Sequence, residues 1–208
     1  MFIKFFKKTL WKILKVNPRA YKLKSIAGYK RKNNKNLTIM EIGSWKGNFS
    51  ENLLKIFPQS ELILVDPWKV STINKDSWYG ENKQNQESME GIYKDVVNKF
   101  KGKKNVLIHR GTVKSFYESN LNKKVDIIYV DGDHSYEGVL NDLFYADKLT
   151  VKESIIAMDD YQLKGWWKDG VVKALNEFLG KNSSKYQILG KSGSQLYIKK
   201  LNNENLTN

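Results

Sequence analysis

The chain contains no cysteine, only three prolines and only two histidines among its 208 residues. Without cysteine it can form neither a disulfide, nor a thiolate nucleophile, nor a zinc site built on sulfur. No apolar run approaches the roughly 20 residues that a membrane-spanning helix needs. Lysines interrupt the first apolar residues, so no cleavable signal peptide is evident. We therefore expect a globular protein, by default in the reducing cytosol.

Arginine is scarce as well, although the formal charge is +14. Twelve of the 36 Lys/Arg residues lie in positions 1–36, which contain no Asp or Glu, so positions 37–208 carry 24 basic and 22 acidic residues. The body is nearly neutral. Bidentate contacts to phosphate or guanine favour arginine, and the chain has only Arg19, Arg31 and Arg110. Binding of nucleic acid by the body is therefore disfavoured.

The first 16 residues have the pattern of an amphipathic helix, with apolar side chains on one face and five lysines on the other. Such a helix can lie peripherally on the inner face of an anionic membrane. Alternatively, it packs on the domain or on a second subunit, forming a homodimer. Residues 17–36 are interpreted as a polar linker, and residues 201–208 as a frayed tail.

From residue 37 onward, short apolar runs alternate with helical patterns, which is typical of an α/β fold with a doubly wound, mostly parallel sheet. We predict seven strands, the last two forming an antiparallel hairpin. The single domain spans residues 37–200. The predicted strands are 37–43, 61–66, 105–109, 125–131, 154–159, 186–189 and 195–199, and the predicted helices are 48–57, 84–100, 113–119, 136–149 and 166–179.

The first chemical motif is EIGSWKG, residues 41–47, between a strand and a helix. Gly43 and Gly47 permit a sharp turn and the close approach of a ligand. Alternatively the segment is only a tight turn, because such units are common.

The second motif is Asp66, which ends the next strand in LILVDPW, about twenty residues after the glycine turn. A carboxylate at this position can accept both hydroxyl protons of a ribose; the alternative is an aspartate that caps a loop. The chain has neither GxGxxG nor a phosphate-binding lysine loop. A nucleoside bound without a pyrophosphate favours S-adenosylmethionine over NAD.

A third group of acidic residues follows two further strands: Asp131 ends one, and Asp159 and Asp160 end the next. Carboxyl ends of parallel strands meet at one edge of the sheet. With Asp133 nearby, the carboxylates would repel each other unless they were protonated or neutralised, and a hard divalent cation neutralises them. Alternatively they are ordinary loop-facing carboxylates or helix caps.

His134 follows Asp131 by three residues and is a candidate general base, with Asp131 as the other candidate. The alternative is a histidine on a surface loop; His109, within a strand, is interpreted as structural. Aromatic side chains also cluster in the loops at this edge, where they could pack against an acceptor or simply belong to the core. The candidates for substrate contact are Trp78, Tyr79, Tyr161 and Trp166.

EIGSWKG followed by LILVDPW resembles motif I and the acidic residue after it in class I S-adenosylmethionine-dependent methyltransferases. VDIIYVDGDHSYEGVLNDL and IIAMDDY resemble a narrower group, related to the metal-dependent sugar O-methyltransferases (macrocin O-methyltransferase-like, methyltransferase domain 24 type). The likeness covers about residues 37–200 and implies the Rossmann-like methyltransferase fold. One departure is that Trp45 and Lys46 occupy the interval where many class I members have a third glycine.

The resemblance implies a role for each matching residue. Asp66 would hold the ribose hydroxyls, and Gly111 and Thr112 would lie near the adenine. The predicted cofactor-binding residues are Glu41, Gly43, Ser44, Gly47, Asp66, Pro67, Trp68, Gly111, Thr112 and Asp131, and the predicted Mg²⁺ ligands are Asp131, Asp159 and Asp160.

The sequence thus predicts an S-adenosylmethionine-dependent methyltransferase that methylates an oxygen of a sugar, glycan or other small hydroxylated acceptor with the assistance of Mg²⁺. Two alternatives stay open. One is a nucleic-acid methyltransferase that uses the basic N-terminal segment as a clamp. The other is a non-catalytic interaction protein with a methyltransferase fold.

Overall fold

A computed structural model of the chain describes residues 17–28 and 37–202. The amphipathic segment predicted over residues 1–16 lies outside the described residues, as does most of the predicted tail. Among the described residues, no helix is both long enough and apolar enough to cross a membrane.

Helices and strands alternate along the described chain, with bounds close to those predicted. Six helices and seven strands are present among the described residues. In chain order they are α1 (Pro18–Gly28), β1 (Thr38–Ile42), α2 (Asn48–Ile56), β2 (Glu61–Asp66), α3 (Gln86–Lys99), β3 (Val106–Arg110), α4 (Val113–Ser119), β4 (Val125–Val130), α5 (Tyr136–Leu149), β5 (Thr150–Met158), α6 (Gly170–Lys181), β6 (Tyr186–Ser192) and β7 (Gln195–Lys200).

The seven strands form one sheet in the order β3-β2-β1-β4-β5-β7-β6. Strands β1 to β5 pair in parallel, whereas β7 pairs antiparallel with β5 and β6, so the predicted doubly wound sheet with a terminal hairpin is confirmed. The strand order reverses between β1 and β4. In open α/β sheets, ligands bind at the carboxyl ends of the strands beside such a reversal.

Both faces of the sheet are covered, because successive side chains of each strand alternate between two apolar cores. On β1, Ile39 packs with α1, α2 and α3, whereas Met40 packs with α4, α5 and α6. The central strands are therefore buried on both sides, and the carboxyl ends of the strands remain available to hold polar groups.

Helix α1 lies within the segment that was interpreted as a linker, and that interpretation is wrong for residues 18–28. Pro18 occupies its first position, Gly28 ends it, and Ala20, Leu23 and Ala27 are buried at helical spacing. Because lysines dominate this segment, the pattern of three small or apolar residues that form the buried face was not recognised in the sequence.

Helix α6 begins at Gly170, four residues later than predicted. Lys168 has φ 54°, which no right-handed helix accommodates, so Trp166 and Trp167 belong to a turn before the helix.

Candidate active site

A cavity of about 640 Å³ opens at the carboxyl ends of β1, β2, β4 and β5, beside the reversal of strand order. Its described lining is rich in carboxylates and contains two basic side chains, Arg19 and Lys69. The carboxylates that line it belong to Asp66, Asp131, Asp133, Asp142, Asp159 and Asp160.

Asp66 ends β2 and lines the cavity with its side chain almost fully buried. Oδ2 accepts the backbone N–H of Trp45 at 2.9 Å, and Oδ1 accepts that of Trp68 at 2.7 Å. Burial raises the pKa of Asp66, and the two amides oppose that rise. Since a carboxylate has about four acceptor sites, Asp66 retains capacity for the hydroxyls of a ligand.

Trp45, one of the two residues that occupy the interval between Ser44 and Gly47, adopts a left-handed backbone with φ 47°. This conformation costs a non-glycine residue about 1–2 kcal/mol. In return, its N–H reaches Asp66, and its carbonyl accepts the indole N–H of Trp68 at 2.8 Å. The left-handed backbone at Trp45 thus helps to fix the carboxylate of Asp66.

The predicted cofactor-binding residues separate into two groups. Gly43, Asp66, Pro67, Gly111, Thr112 and Asp131 line the cavity, whereas Glu41, Ser44, Gly47 and Trp68 lie behind its wall. The buried carboxylate of Glu41 accepts the Ser50 hydroxyl, and burial raises its pKa well above the usual value. Ser44 donates its hydroxyl to the Glu41 carbonyl. These residues support the loop from behind.

Asp131, His134 and Asp160 form a cluster whose potential ligand atoms all lie within 4.8 Å of one another. Nε2 of His134 is 3.5 Å from Oδ1 of Asp131 and 3.4 Å from Oδ2 of Asp160, which are ion-pair distances for a protonated imidazole. It is buried and has no hydrogen-bond partner among the described residues. The imidazole packs against the ring of Trp167 at 4.7 Å between centroids.

The electrostatics of this cluster favour a protonatable histidine. Burial lowers the pKa of His134, but the neighbouring carboxylates of Asp131 and Asp160 outweigh burial and raise it above its ordinary value. Burial raises the pKa of Asp131 to about 6. A histidine whose pKa is raised by carboxylates is a stronger proton acceptor.

Asp159, the third predicted metal ligand, is fully engaged by the protein. Its carboxylate accepts hydrogen bonds from Arg19, from the Tyr129 hydroxyl at 2.8 Å and from the Gln195 amide at 2.6 Å, as well as from the hydroxyl of Ser194 and the backbone N–H of Asp160. Five donors exceed its roughly four acceptor sites. Burial raises the pKa of Asp159, but these donors lower it by more. Asp131 and Asp160 therefore keep oxygens for a cation, whereas Asp159 does not.

Three of the four aromatic candidates for substrate contact, Trp78, Tyr79 and Trp166, line the cavity. Tyr161 does not; it packs against the core. The loop that carries Trp78 and Tyr79 is held over the cavity because the amide of Asn74 donates to both oxygens of Asp133, at 3.2 and 3.1 Å.

The sequence-based predictions missed several residues that line the cavity, among them Arg19 and Asp142. Arg19 had one available signal, as a rare arginine in a lysine-rich segment. Asp142 lies on the buried face of α5, and burial raises its pKa to about 8. Trp167 belongs to the loop aromatics predicted at this edge, and it also lines the cavity although it was not among the four candidates for substrate contact.

Several known proteins resemble this chain. Uncharacterized protein R132 of Acanthamoeba polyphaga mimivirus is 29% identical over 171 residues, which are 74% of this chain and 67% of that protein. Among solved structures, the O-methyltransferase NovP superposes with a TM-score of 0.64 at 15% identity, covering 88% of this chain and 79% of NovP. An O-methyltransferase from Bacillus cereus in complex with SAH superposes with a TM-score of 0.58 at 16% identity, covering 89% of this chain and 82% of that protein.

These structural similarities show a shared fold, and a match to a protein family identifies the family of the chain. A family described as "Methyltransferase domain" matches residues 40–161, more than half of the chain, from β1 to the end of the acidic cluster. The matched segment contains the glycine turn, Asp66, Asp131, His134 and Asp160. The chain therefore belongs to the methyltransferase-domain family.

Proposed function

We propose that the protein transfers a methyl group from S-adenosylmethionine to a hydroxyl oxygen of a sugar or another small hydroxylated acceptor. One observation carries this proposal: Nε2 of His134, which is buried and makes no hydrogen bond among the described residues, belongs to the same cavity as the carboxylate of Asp66. One end of the cavity thus offers an acceptor for hydroxyl protons of a nucleoside. The other end offers a base.

The lining at β2 and β3 fits a nucleoside. Asp66 would accept the ribose hydroxyls, because its orientation is fixed by two backbone amides and its burial excludes competing water. Gly111 and Thr112 line the cavity directly after β3, where the base of a nucleoside held by Asp66 would lie. S-adenosylmethionine, when bound, supplies an electrophilic sulfonium methyl group.

The lining at β4 and β5 fits a hydroxylated acceptor. His134 would accept the hydroxyl proton through Nε2, and Trp167 holds the imidazole in place from one side. The indole N–H of Trp167 is also buried without a hydrogen-bond partner among the described residues, so it is available to a polar acceptor. Trp78, Tyr79 and Trp166 offer apolar faces that suit the C–H face of a sugar ring.

A divalent cation also fits this end, with Asp131 and Asp160 as its oxygen ligands next to His134. Mg²⁺, when bound there, would lower the pKa of the acceptor hydroxyl as a Lewis acid. Asp159 would not contribute, because its oxygens are already saturated by protein donors.

The nucleoside assignment is tested by changing Asp66 to Asn, which preserves shape but removes the charge. We expect the affinity for S-adenosylhomocysteine, measured by calorimetry, to fall by about 10- to 100-fold, because hydrogen bonds to a charged group are lost. Asp126→Asn is the matched control: Asp126 also accepts a backbone N–H, that of Thr38, but at the opposite end of the sheet. Equal affinity in wild type and Asp66→Asn would refute the assignment.

The acceptor class is tested separately, with S-adenosylmethionine carrying a tritiated methyl group and a panel of hydroxylated compounds. We expect label to enter sugars or small hydroxylated compounds. Transfer to nucleic acid alone would contradict the proposed acceptor class while leaving the cofactor assignment intact.

A further inference from the structure

Arg19 reaches the active-site cavity from a helix that precedes the family-matched segment. Its position is fixed by packing: the backbone N–H of Asn17 donates to the Asn52 side chain at 2.8 Å, and Nζ of Lys24 donates to the Ile56 carbonyl at 2.9 Å. Together with the buried small face of α1, these contacts hold the start of the helix against α2. The guanidinium is therefore placed by the fold itself.

Asp159 orients this guanidinium. Nη1 of Arg19 donates to Asp159, which is itself held by Tyr129 and Gln195, and the guanidinium lies 5.4 Å from the centroid of the Phe49 ring. A guanidinium has five N–H donors in a rigid plane. Its side chain is 39% exposed and lines the cavity, so donors remain that a ligand can reach.

The charges of the cavity give Arg19 a specific use. Six aspartates belong to the described lining of the cavity, and although burial favours the neutral form of Asp142, the ionised ones repel an anionic ligand group. The other basic side chain, Lys69, follows β2 and lies at the nucleoside end. Asp66 on β2 and Asp159 on β5 are separated by three strand spacings, about 14 Å. A nucleoside with an extended amino-acid chain would cross β1 and β4 toward Arg19.

We infer that Arg19 binds the carboxylate of the amino-acid end of S-adenosylmethionine and that Asp159 positions the guanidinium for this contact. The inference rests on the proposed cofactor. Planar guanidinium and carboxylate groups match each other in a bidentate geometry, and Arg19 is the arginine that the described lining offers at that end of the cavity. Asp159, predicted as a metal ligand, thereby acquires a different role as a positioning residue.

The test compares two ligands that share the nucleoside but differ in the amino-acid chain: S-adenosylhomocysteine and 5′-methylthioadenosine. With the full-length protein and calorimetry, we expect Arg19→Met to lower the affinity for S-adenosylhomocysteine by about 10- to 150-fold. The affinity for 5′-methylthioadenosine should stay unchanged, because that ligand has no carboxylate. Arg19→Lys should lower the affinity for S-adenosylhomocysteine by less than Arg19→Met does, because lysine retains the positive charge. Lys22→Met, an exposed substitution on the same helix, should change neither affinity.

The outcomes separate the inference from the proposed function. If Arg19→Met weakened both ligands equally, or neither, the carboxylate contact would be refuted, even though the cavity bound the nucleoside. If the wild-type protein bound neither ligand, the proposed cofactor itself would fail. Arg19→Met could instead increase the affinity for Mg²⁺ and leave the affinities for both nucleosides unchanged. Arg19 would then be a cation that competes with a metal ion, and the inference would be overturned.

Discussion

Replacing His134 with glutamine should lower the rate of methyl transfer by about 10²- to 10⁴-fold, the usual contribution of a general base. The physical reason is that Nε2 of His134, buried between Asp131 and Asp160 without a hydrogen bond among the described residues, is the proposed proton acceptor. Glutamine keeps a polar side chain of similar reach but has no basic nitrogen. The affinity for S-adenosylhomocysteine should stay within about twofold, because Asp66 and the β2 end of the cavity are untouched. Release of S-adenosylhomocysteine with the acceptor found in the panel measures the rate.

The second histidine is the matched control for this experiment. His109 shares a hydrogen bond of 2.8 Å with the Ser115 hydroxyl, and its ring packs edge-on against Phe116. It does not appear among the residues that line the cavity. His109→Gln should therefore leave the rate nearly unchanged. Comparable losses in both variants, or a His134→Gln variant that kept most of the rate, would contradict the assigned base.

Replacing Gly43 with alanine should destabilise the protein by about 3 kcal/mol or more. An added Cβ would lie 2.1 Å from the carbonyl oxygen of Asp131 and 2.5 Å from Cα of Gly132, both of them backbone atoms that cannot rotate away. In addition, φ is +86°, a conformation that costs an L residue about 1–2 kcal/mol. Overpacking of this kind typically costs a further 1–3 kcal/mol. Urea denaturation followed by circular dichroism measures the free energy of unfolding.

Gly91→Ala is the contrasting change. Gly91 lies within α3 and a Cβ there would meet nothing within 4 Å, so alanine should stabilise the helix by roughly 0.5–1 kcal/mol. If the free energy of unfolding falls for Gly43→Ala and rises for Gly91→Ala, then the close approach of β1 to the loop after β4, and not general flexibility, requires glycine at position 43. A Gly43→Ala variant as stable as wild type would show that the loop can move aside.

Several features of the site follow from local sequence. Asp66 is the last residue of β2, Asp131 directly follows β4, and Asp160 is the second residue after β5. Parallel strands bring these carboxyl ends to one edge of the sheet. The same pattern placed Gly43 at the turn beside them. His134 joined this group because the loop after β4 is short. Local spacing suffices here, since each residue is positioned by the strand that precedes it.

Other features required the folded chain. Arg19 and Asp159 are 140 residues apart, and no periodicity relates them. Likewise, whether a residue of the glycine turn faces the cavity or the core depends on what packs behind it: Trp68 is fully buried, and Glu41 is bonded to Ser50.

The amino-acid sequence by itself determined the alternation of strands and helices, the edge at which polar groups collect, and the candidate residues at that edge, because these depend on hydrophobic spacing and on turns within a few residues. Only the tertiary structure decided that α1 delivers an arginine to the cavity and that Asp159 is saturated by this arginine, Tyr129 and Gln195. It also buried Nε2 of His134 between two carboxylates without a hydrogen bond among the described residues. Pairing between distant side chains depends on the packing of α1 against α2 and of β7 against β5, and such long-range geometry has no local signature.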